Sequence, residues 1–358
     1  MSSKKKIVVA MSGGVDSSTV AAMLHHQGHE VIGLTMQLYD YTGTDLKKGT
    51  CCAGMDIYDA KTVADKLGIP HYVLNYESKF KDSVMNDFAD SYMRGETPIP
   101  CVRCNQTVKF SDMLKMAKDL GADSLATGHY VKKISRNGVS ELHRAKDEKK
   151  DQSYFLFTTT NEQLDFLEFP LGGFTKEETR KLAESYEIHN SDKPDSQDIC
   201  FVPNGDYASV VQKLRPGALD PGELLDMQNN HLGWHSGIIN FTIGQRRGLG
   251  VTTGKPLYVI KIDPENKKVF LGEESDLFSD SFYIKDTNWL VDNNSELEGL
   301  VRIRSSHKGV LAKVKKHNDE GIYKVTTFEP NKSVTPGQAC VLYDGDRVLG
   351  GGWIIKYI

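Results

Sequence analysis

Near the start of the chain, a glycine-containing turn separates an apolar run from an amphipathic one. It reads SGGVDSS and spans residues 12–18. Gly13 and Gly14 let the backbone come close to an anion, and the N–H groups of such a turn, with the positive end of the next helix, can hold a phosphate. A glycine pair after a strand is often only a tight turn. The Gly-Lys-Ser/Thr of a Walker A loop and the G-x-G-x-x-G of dinucleotide-binding turns are both absent.

Six cysteines form the second set of chemically capable residues. They are Cys51, Cys52, Cys101, Cys104, Cys200 and Cys340. In a long chain that we expect to be cytosolic, metal binding or thiol chemistry explains them better than structural disulfides. The C-x-x-C spacing of Cys101 and Cys104 suits a tetrahedral thiolate site. Composition alone makes Cys200 and Cys340 buried apolar thiols.

Composition limits the class of protein. Of the 358 residues, 39% are hydrophobic and 26% are charged, as in a globular protein, and no apolar run has the length of a transmembrane helix. The lysines at the start precede an apolar stretch that is too short for a signal peptide. We therefore expect a cytoplasmic protein with no membrane partner. The net charge of −4 neither requires nor excludes a nucleic-acid partner.

The first half of the chain must position the turn and the cysteines. Short apolar runs such as KIVVAM, EVIGLTMQ, PHYVLN and ADSLATGH alternate with helical patterns such as DSSTVAAMLHHQ and DIYDAKTVADKLG. This alternation predicts a doubly wound α/β domain with a parallel sheet. Ligands bind beyond the carboxyl ends of such strands. The turn, Met36, Gly128 and His129 all lie at such ends, so we expect them to meet in one crevice.

The pattern changes after about residue 205. Glycine-punctuated short segments replace the long helical patterns, and from about residue 282 the alternation typical of antiparallel strands begins. The sequence predicts three domains: a nucleotide-binding and catalytic domain at 1–205, a small central domain at 206–281, and a C-terminal antiparallel β-barrel at 282–358. TKEETRKLAESYE begins with Thr175 and Glu178 at capping-box spacing, which predicts a further helix in the first domain.

The string strand–SGGVDS–helix resembles the signature loop of the PP-loop ATP pyrophosphatases. These enzymes cleave ATP between its α and β phosphates and transfer AMP to an oxygen atom. The resemblance implies ATP as the nucleotide, Mg²⁺ bound with it, and a role for Asp16 in orienting metal or phosphate. The ATP-binding residues that it implies are Ala10, Met11, Ser12, Gly13, Gly14, Val15, Asp16, Ser17, Met36 and Gly128.

Further stretches resemble the bacterial and mitochondrial tRNA-specific 2-thiouridylases. These are GETPIPCVRCNQTVKF, ATGHYV, KKDQSYFL, KPDSQDICF and FTIGQRRGLG. Enzymes of this family replace O2 of a wobble uridine by sulfur. A carbonyl oxygen is a poor leaving group, so adenylation of O2 must precede the attack by sulfur. The resemblance makes Cys200 the carrier of a persulfide and Cys104 the nucleophile that closes a disulfide with it. A persulfide donor protein is implied as a partner.

The same resemblance implies a set of tRNA contacts. They are Ile99, Pro100, Cys101, His129, Lys150, Asp151, Gln152, Arg304, Ser305 and Gln338. Taken alone, His129 would be an ordinary surface histidine and residues 150–152 part of a solvated charged run. Cys101 departs from the family, which usually has an aspartate at this position, so that carboxylate's role cannot be carried over.

Two alternatives remain open from the sequence. The chain could be another PP-loop ligase, although it shows no added glutaminase domain or amino-acid site. It could also be an RNA thiolase that depends on a metal ion or iron–sulfur cluster held by Cys101, Cys104 and Cys200. The sequence names neither the substrate tRNAs nor the oligomeric state.

Overall fold

A computed structural model describes residues 4–39, 54–191, 193, 199–202, 205–252, 254–293 and 296–355. The chain divides into two compact units. The first contains the residues up to Val84, Cys101–Gly205 and Asp346–Val348. The second contains Met85–Pro100, Asp206–Gly345 and the residues from Leu349 onward. Each unit is described separately.

The first unit is built on a parallel sheet. The strands of the first unit are β1 (Lys6–Ala10), β2 (Glu30–Gln37), β3 (His71–Asn75), β4 (Ser124–Thr127), β5 (Val131–Arg136), β6 (Val139–Arg144) and β7 (Leu167–Glu168). The sheet has the order β3-β2-β1-β4-β7, and every neighbouring pair is parallel. Strands β5 and β6 form an antiparallel hairpin. The order places the end of β1 between the ends of β2 and β4.

The α-helices of the described residues follow in chain order. They are α1 (Val15–His26), α2 (Gly54–Leu67), α3 (Glu77–Phe80), α4 (Asn86–Met93), α5 (Pro100–Cys104), α6 (Leu114–Asp119), α7 (Asn161–Phe166), α8 (Lys176–Ser185) and α9 (Tyr207–Leu214). Wider π-helical turns cover Lys81–Met85 and Asn105–Met113. Short 3₁₀ turns cover Ser153–Leu156, Ile238–Asn240 and Glu274–Leu277.

Burial of small and branched apolar side chains holds the first unit together. Val9 of β1 and Val20, Ala21 and Ala22 of α1 are fully buried in one cluster. Small residues on α1 let the helix lie close to the sheet, which fixes the position of its N-terminus beyond β1. Helix α8 begins with the predicted capping box: the Thr175 hydroxyl accepts from the Glu178 N–H, and the Glu178 carboxylate accepts from the Thr175 N–H.

The second unit contains a small sheet and a barrel. The small sheet has strands β8 (Gly222–Asp226), β9 (His231–His235), β10 (Tyr258–Asp263) and β11 (Lys268–Gly272), in the order β10-β11-β8-β9. The barrel strands are β12 (Phe278–Trp289), β13 (Leu297–Arg302), β14 (Val310–Lys316), β15 (Tyr323–Lys332), β16 (Ala339–Asp344) and β17 (Arg347–Ile355). Pairing of β12 with β17 closes the barrel.

The predicted fold class is therefore confirmed: a parallel sheet covered by helices is followed by a closed antiparallel barrel. The sequence analysis missed helix α9 and the β5–β6 hairpin. The three domain boundaries remain a proposal. Among the described residues, no helix is both long and apolar enough to cross a lipid bilayer.

Candidate functional site

The turn between β1 and α1 has, at Gly13, a backbone conformation that only glycine allows. Gly13 has φ of +74°, and a Cβ built on it would lie 2.0 Å from the carbonyl oxygen of Asp56. Gly14 is the N-cap of α1 and has space for a Cβ, whose nearest neighbour is the Ser12 hydroxyl at 3.6 Å. The Ser17 hydroxyl accepts from the Ser12 N–H at 3.1 Å. These contacts fix the turn against the first residues of α2.

A cavity of about 450 Å³ opens beside this turn. It lies beyond the carboxyl ends of β1, β2 and β4, as the sequence analysis expected for the crevice. Its walls include most of the residues expected to bind ATP: Ala10, Met11, Ser12, Gly14, Val15, Asp16, Ser17, Met36 and Gly128. Gly13 does not line the cavity, because its backbone faces Asp56. The cavity also receives His129 and residues 149–152, so groups expected to meet ATP and tRNA share one space.

Asp16 lies at the N-terminus of α1 and is held by two side chains. Lys176, the first residue of α8, donates to its two carboxylate oxygens at 2.7 and 2.8 Å. The hydroxyl of Tyr130 donates to the same carboxylate at 2.8 Å. The Lys176 side chain is only 12% exposed and lines the cavity. A cation is thus positioned at the turn of residues 12–18, which we call the phosphate turn after its predicted ligand, and its charge is balanced by Asp16.

A second lysine, Lys193, connects the turn to α2. Its ammonium donates to Asp56 and Asp59 at 2.6 Å each and to the carbonyl oxygen of Gly13 at 3.1 Å. Burial alone lowers the pKa of Lys193, but the hydrogen bonds with the two carboxylates outweigh burial and raise it. Asn190 donates to the same Gly13 carbonyl at 2.9 Å. Lys193 therefore stays charged at the edge of the cavity.

Strand β4 ends against the phosphate turn. A Cβ on Gly128 would lie 2.9 Å from the Ser17 N–H nitrogen, so a side chain here would displace the start of α1. The next residue, His129, shares a 2.9 Å hydrogen bond with the Thr127 hydroxyl and has its ring edge-on to Phe110. Burial, together with the charge of Lys109, lowers the pKa of His129 to about 3. Its imidazole is therefore neutral at physiological pH.

The charged run at residues 150–152 is an ordered loop. The Asp151 carboxylate accepts from the Arg144 guanidinium, the Ala145 N–H and the Ser153 N–H and hydroxyl. Only 1% of the Asp151 side chain is exposed. The Gln152 side chain accepts from the Tyr130 N–H at 2.8 Å. Asp151 and Gln152 thus hold the loop in position, and Lys150 lines the cavity with them.

The expected cysteines differ in their exposure. Cys101 is exposed on α5, and Cys104 ends the same helix with 7% exposure. Cys200 is half-buried, and its carbonyl oxygen accepts from the Tyr39 hydroxyl. Cys200 is therefore not sealed in apolar packing as composition alone suggested. The buried thiol of Cys340, whose pKa is raised by burial, is a core residue as predicted.

The remaining predicted tRNA contacts lie in the second unit. Ile99 and Pro100 are buried, whereas Arg304 and Ser305 are exposed in the loop after β13. The guanidinium of Arg302 donates to the Ser305 carbonyl and to that of His307, which shapes this loop. Gln338 donates to the Thr97 carbonyl at 2.9 Å. Their contacts with RNA remain predictions.

Among the described residues, no group of three or more His, Cys, Asp and Glu side chains could hold a metal ion. Cys51 and Cys52 lie outside those residues. The described part of the chain gives the cluster alternative no support.

Sequence reasoning missed several polar residues of the cavity, among them Asp56, Lys109, Tyr130, Lys176 and Lys193. Lys176 and Lys193 carried a usable signal. Lys176 is the first residue after a capping-box threonine, and Lys193 stands in the KPDSQDICF stretch that was quoted for its cysteine. Their positions at the turn depend on tertiary structure, because each lies more than 150 residues from it.

The site defines a class: a parallel-sheet domain in which the glycine-containing turn after β1 leads into the N-terminus of α1 beside a cavity. Comparison with known families agrees. Residues 5–204 match the family described as the tRNA methyl transferase HUP domain, 209–273 match the tRNA methyl transferase PRC-barrel domain, and 279–354 match the aminomethyltransferase beta-barrel domain.

Two curated relatives match over almost their whole length. The chain is 61% identical to the tRNA-specific 2-thiouridylase of Rickettsia canadensis and 60% identical to that of Rickettsia africae, each over 98% of this chain and 96% and 97% of the relative. This chain belongs to the tRNA-specific 2-thiouridylase family. A solved structure from Methanocaldococcus jannaschii, a predicted subunit of a tRNA methyltransferase, is 20% identical with a TM-score of 0.31 over 50% of this chain and 76% of its own, and no conclusion rests on it.

Proposed function

We propose that this protein catalyses the ATP-dependent 2-thiolation of the wobble uridine of tRNA. Family membership supports this activity. The observation that carries it to this chain is the shared cavity, which joins the phosphate turn at Ser12–Ser17 to His129 and the loop at 150–152. A reaction that attaches AMP to a base needs such an arrangement, because nucleotide and base must meet.

In the first half of the reaction, O2 of the uridine attacks the α phosphate of ATP and pyrophosphate leaves. The N–H groups of the turn and the N-terminus of α1 stabilise the negative charge of the phosphates. Lys176 and Lys193 bring two ammonium groups to the same cavity. We assign them to the triphosphate, since each is already held in place by carboxylates before the nucleotide arrives.

Mg²⁺ fits the residues of this cavity. Asp16 and Asp56 line it and supply hard carboxylate oxygens, and a site made of one or two carboxylates together with substrate phosphates is typical of Mg²⁺. When bound, Mg²⁺ would neutralise charge on the departing pyrophosphate. Lys176 and Tyr130 orient Asp16 independently of the metal.

In the second half, sulfur replaces the activated oxygen. The terminal sulfur of a persulfide on Cys200 bonds to C2, and O2 leaves with AMP. The Cys104 thiolate then attacks the Cys200 sulfur, so that the S–S bond to the base breaks and a Cys104–Cys200 disulfide forms. A thiol reductant regenerates both cysteines before a persulfide donor loads Cys200 again. Sulfide can reload the enzyme directly: it attacks the Cys200 sulfur of the disulfide, forms the Cys200 persulfide and releases the Cys104 thiolate. His129 takes part as a neutral hydrogen-bonding group in this proposal, because its depressed pKa keeps it uncharged.

Four expectations complete the proposal. A persulfide donor protein loads Cys200, and the enzyme acts in the cytoplasm where its tRNA substrate is found. The three predicted domains, 1–205, 206–281 and 282–358, carry catalysis and RNA contacts. Cys101 touches the target base in place of the family's usual aspartate.

Mass spectrometry of the wobble nucleoside tests the function. Incubation of the protein in its Cys104–Cys200 disulfide form with ATP, sulfide and substrate tRNA is expected to convert uridine to 2-thiouridine. Omission of ATP is the control and should leave uridine unchanged. A product with a methyl group or a sulfur at another position would overturn the assignment, and so would a conversion that proceeds without ATP.

A further inference from the structure

One outward face of the barrel carries lysines on neighbouring strands. Lys315 of β14 lies directly opposite Lys324 of β15, and Tyr283 of β12 lies opposite Lys324 on the other side. Lys285 follows two residues after Tyr283 and so points to the same face. All three lysines are exposed. We call Tyr283, Lys285, Lys315 and Lys324 the lysine face.

The lysine face opposes the stability of the barrel. Like charges directly opposite each other on paired strands destabilise a sheet. Among the described residues, none of the three lysines has an ion pair, in contrast to Lys313 on the same strand, which lies 3.3 Å from Glu296. The chain thus places carboxylates beside Lys313 and leaves Lys315 and Lys324 to repel each other.

The lysines of the lysine face do not protect the edge of a sheet. Lysines on edge strands prevent a sheet from pairing with another chain. Strands β14 and β15 are interior strands of a barrel that β12 and β17 close, so neither presents an edge. Their charge therefore points to a ligand of opposite charge.

The rings of Tyr283 and His317 adjoin the charges, and Leu311 and Phe328 lie four residues further along the same strands. The ring of His317 lies edge-on to Tyr283 with their centroids 4.9 Å apart. On the same outward side of these strands, Leu311 is 52% exposed and Phe328 is 54% exposed. Cations interleaved with exposed aromatic rings are the combination that binds RNA, since phosphates meet the ammonium groups while bases or riboses meet the rings.

We propose that the lysine face binds the sugar-phosphate backbone of the substrate tRNA, apart from the contacts expected of Arg304, Ser305 and Gln338. The proposal rests on the proposed function for the identity of the RNA. Two ammonium groups at one place contact two phosphates without reading the base sequence. The face thereby contributes salt-dependent affinity, and the chemical steps in the cavity do not depend on it.

The test compares Lys315→Ala/Lys324→Ala with Lys313→Ala as the matched control. Binding of substrate tRNA is measured by fluorescence anisotropy from 50 to 200 mM salt. The double variant is expected to bind about tenfold more weakly at the lowest salt. Its slope of log K against log salt should fall by about 1.5, because each lost phosphate contact removes about 0.7–0.9. Lys313→Ala should keep the wild-type slope.

Thiolation assays separate failure of this proposal from failure of the proposed function. With sulfide as the sulfur source, the double variant should show a raised KM for tRNA and an unchanged kcat. If the wild type binds and thiolates tRNA and the double variant keeps the wild-type slope, the proposal for the lysine face is wrong and the proposed function stands. A double variant impaired only with a protein persulfide donor would instead assign the face to that protein. A wild type that never thiolates tRNA overturns the proposed function.

Discussion

Lysines of the cavity and lysines of the barrel are the same residue type in opposite settings. Lys176 and Lys193 are largely buried, and carboxylates within 2.8 Å hold each of them. Lys315 and Lys324 are exposed and face each other. A buried, paired cation has a fixed position, which suits a reacting phosphate. An exposed cation without a carboxylate attracts a polyanion over a longer range, and salt screens it. The surroundings of a lysine, buried among carboxylates or exposed without them, therefore decide whether its charge suits a reacting phosphate or the binding of a polyanion.

The largest contrast between the two regions is expected at the two cysteines of the proposed reaction. Cys104→Ser and Cys200→Ser should each abolish tRNA thiolation, because a hydroxyl can neither carry sulfane sulfur nor close a disulfide. Binding of tRNA should stay within about twofold of wild type, unlike that of the barrel variant. Measurement of 2-thiouridine by mass spectrometry checks the loss, with Cys340→Ser as a control for thiol removal. Substantial thiolation by either serine variant would remove that cysteine from the mechanism.

A second large effect is expected at the phosphate turn. Gly13→Ala places a Cβ at 2.0 Å from the Asp56 carbonyl at a positive φ, so the turn must shift. Strain of this kind costs about 1–3 kcal/mol, and ATP affinity should fall at least tenfold because the N–H groups move. Urea unfolding and nucleotide titration measure the two effects.

Gly14→Ala is the matched control for stability, since its Cβ meets nothing closer than 3.6 Å. Its free energy of unfolding should fall by no more than about 1 kcal/mol, the cost of alanine in place of glycine at the N-cap of α1. Equal destabilisation by the two substitutions would contradict the account of the turn.

Removal of the Lys176 ammonium from the cavity should slow the reaction without a change in the salt dependence of the reaction. Lys176→Gln removes the ammonium that lies at Asp16 and is expected to lower kcat/KM for ATP by about 100-fold, as the loss of a charge-assisted contact to a reacting phosphate does. Lys181→Gln on the same helix is the control, because its side chain is 70% exposed and forms an ion pair with Glu177, away from the cavity lining. Similar kinetics for both variants would mean that Lys176 has only a structural role.

A smaller effect concerns the protonation of His129. Its folded pKa of about 3 lies below its ordinary value of 6.5, so the unfolded chain binds the extra proton first. Native stability is therefore lost as the pH falls below about 6.5, by up to about 1.4 kcal/mol per pH unit from this group. His129→Asn should cost stability at pH 7 but roughly 2 kcal/mol less at pH 5. Urea unfolding at both values checks this, and a cost independent of pH would show that folding leaves the pKa of His129 unchanged.

The sequence predicted the parts of the fold that follow from local pattern. The alternation of apolar runs located β1, β2, β3 and β4, and Thr175 with Glu178 located the start of α8. The turn at residues 12–18 was recognisable because glycine allows a positive φ and a close approach of the backbone to an anion. These features depend on neighbours in the chain.

What sequence could not predict depends on contacts between distant residues. No local pattern joins Lys176 to Asp16 or Lys193 to Gly13. Gly128 was expected at the ATP site, but the sequence did not show that the atoms nearest to a Cβ on it belong to the start of α1. Asp151 resembled a solvated charge until its four hydrogen-bond donors were located. The lysine face likewise appears only when two strands are placed in register.

Analysis of the nucleotide products tests the central claim most directly. ATP labelled at the α phosphate is incubated with the protein, sulfide and substrate tRNA, and the labelled product is compared with the amount of 2-thiouridine formed. We expect labelled AMP, with pyrophosphate, in a one-to-one ratio to thiolated base and only in the presence of tRNA. Labelled ADP, or AMP released without tRNA at the same rate, would contradict activation of the base by adenylation.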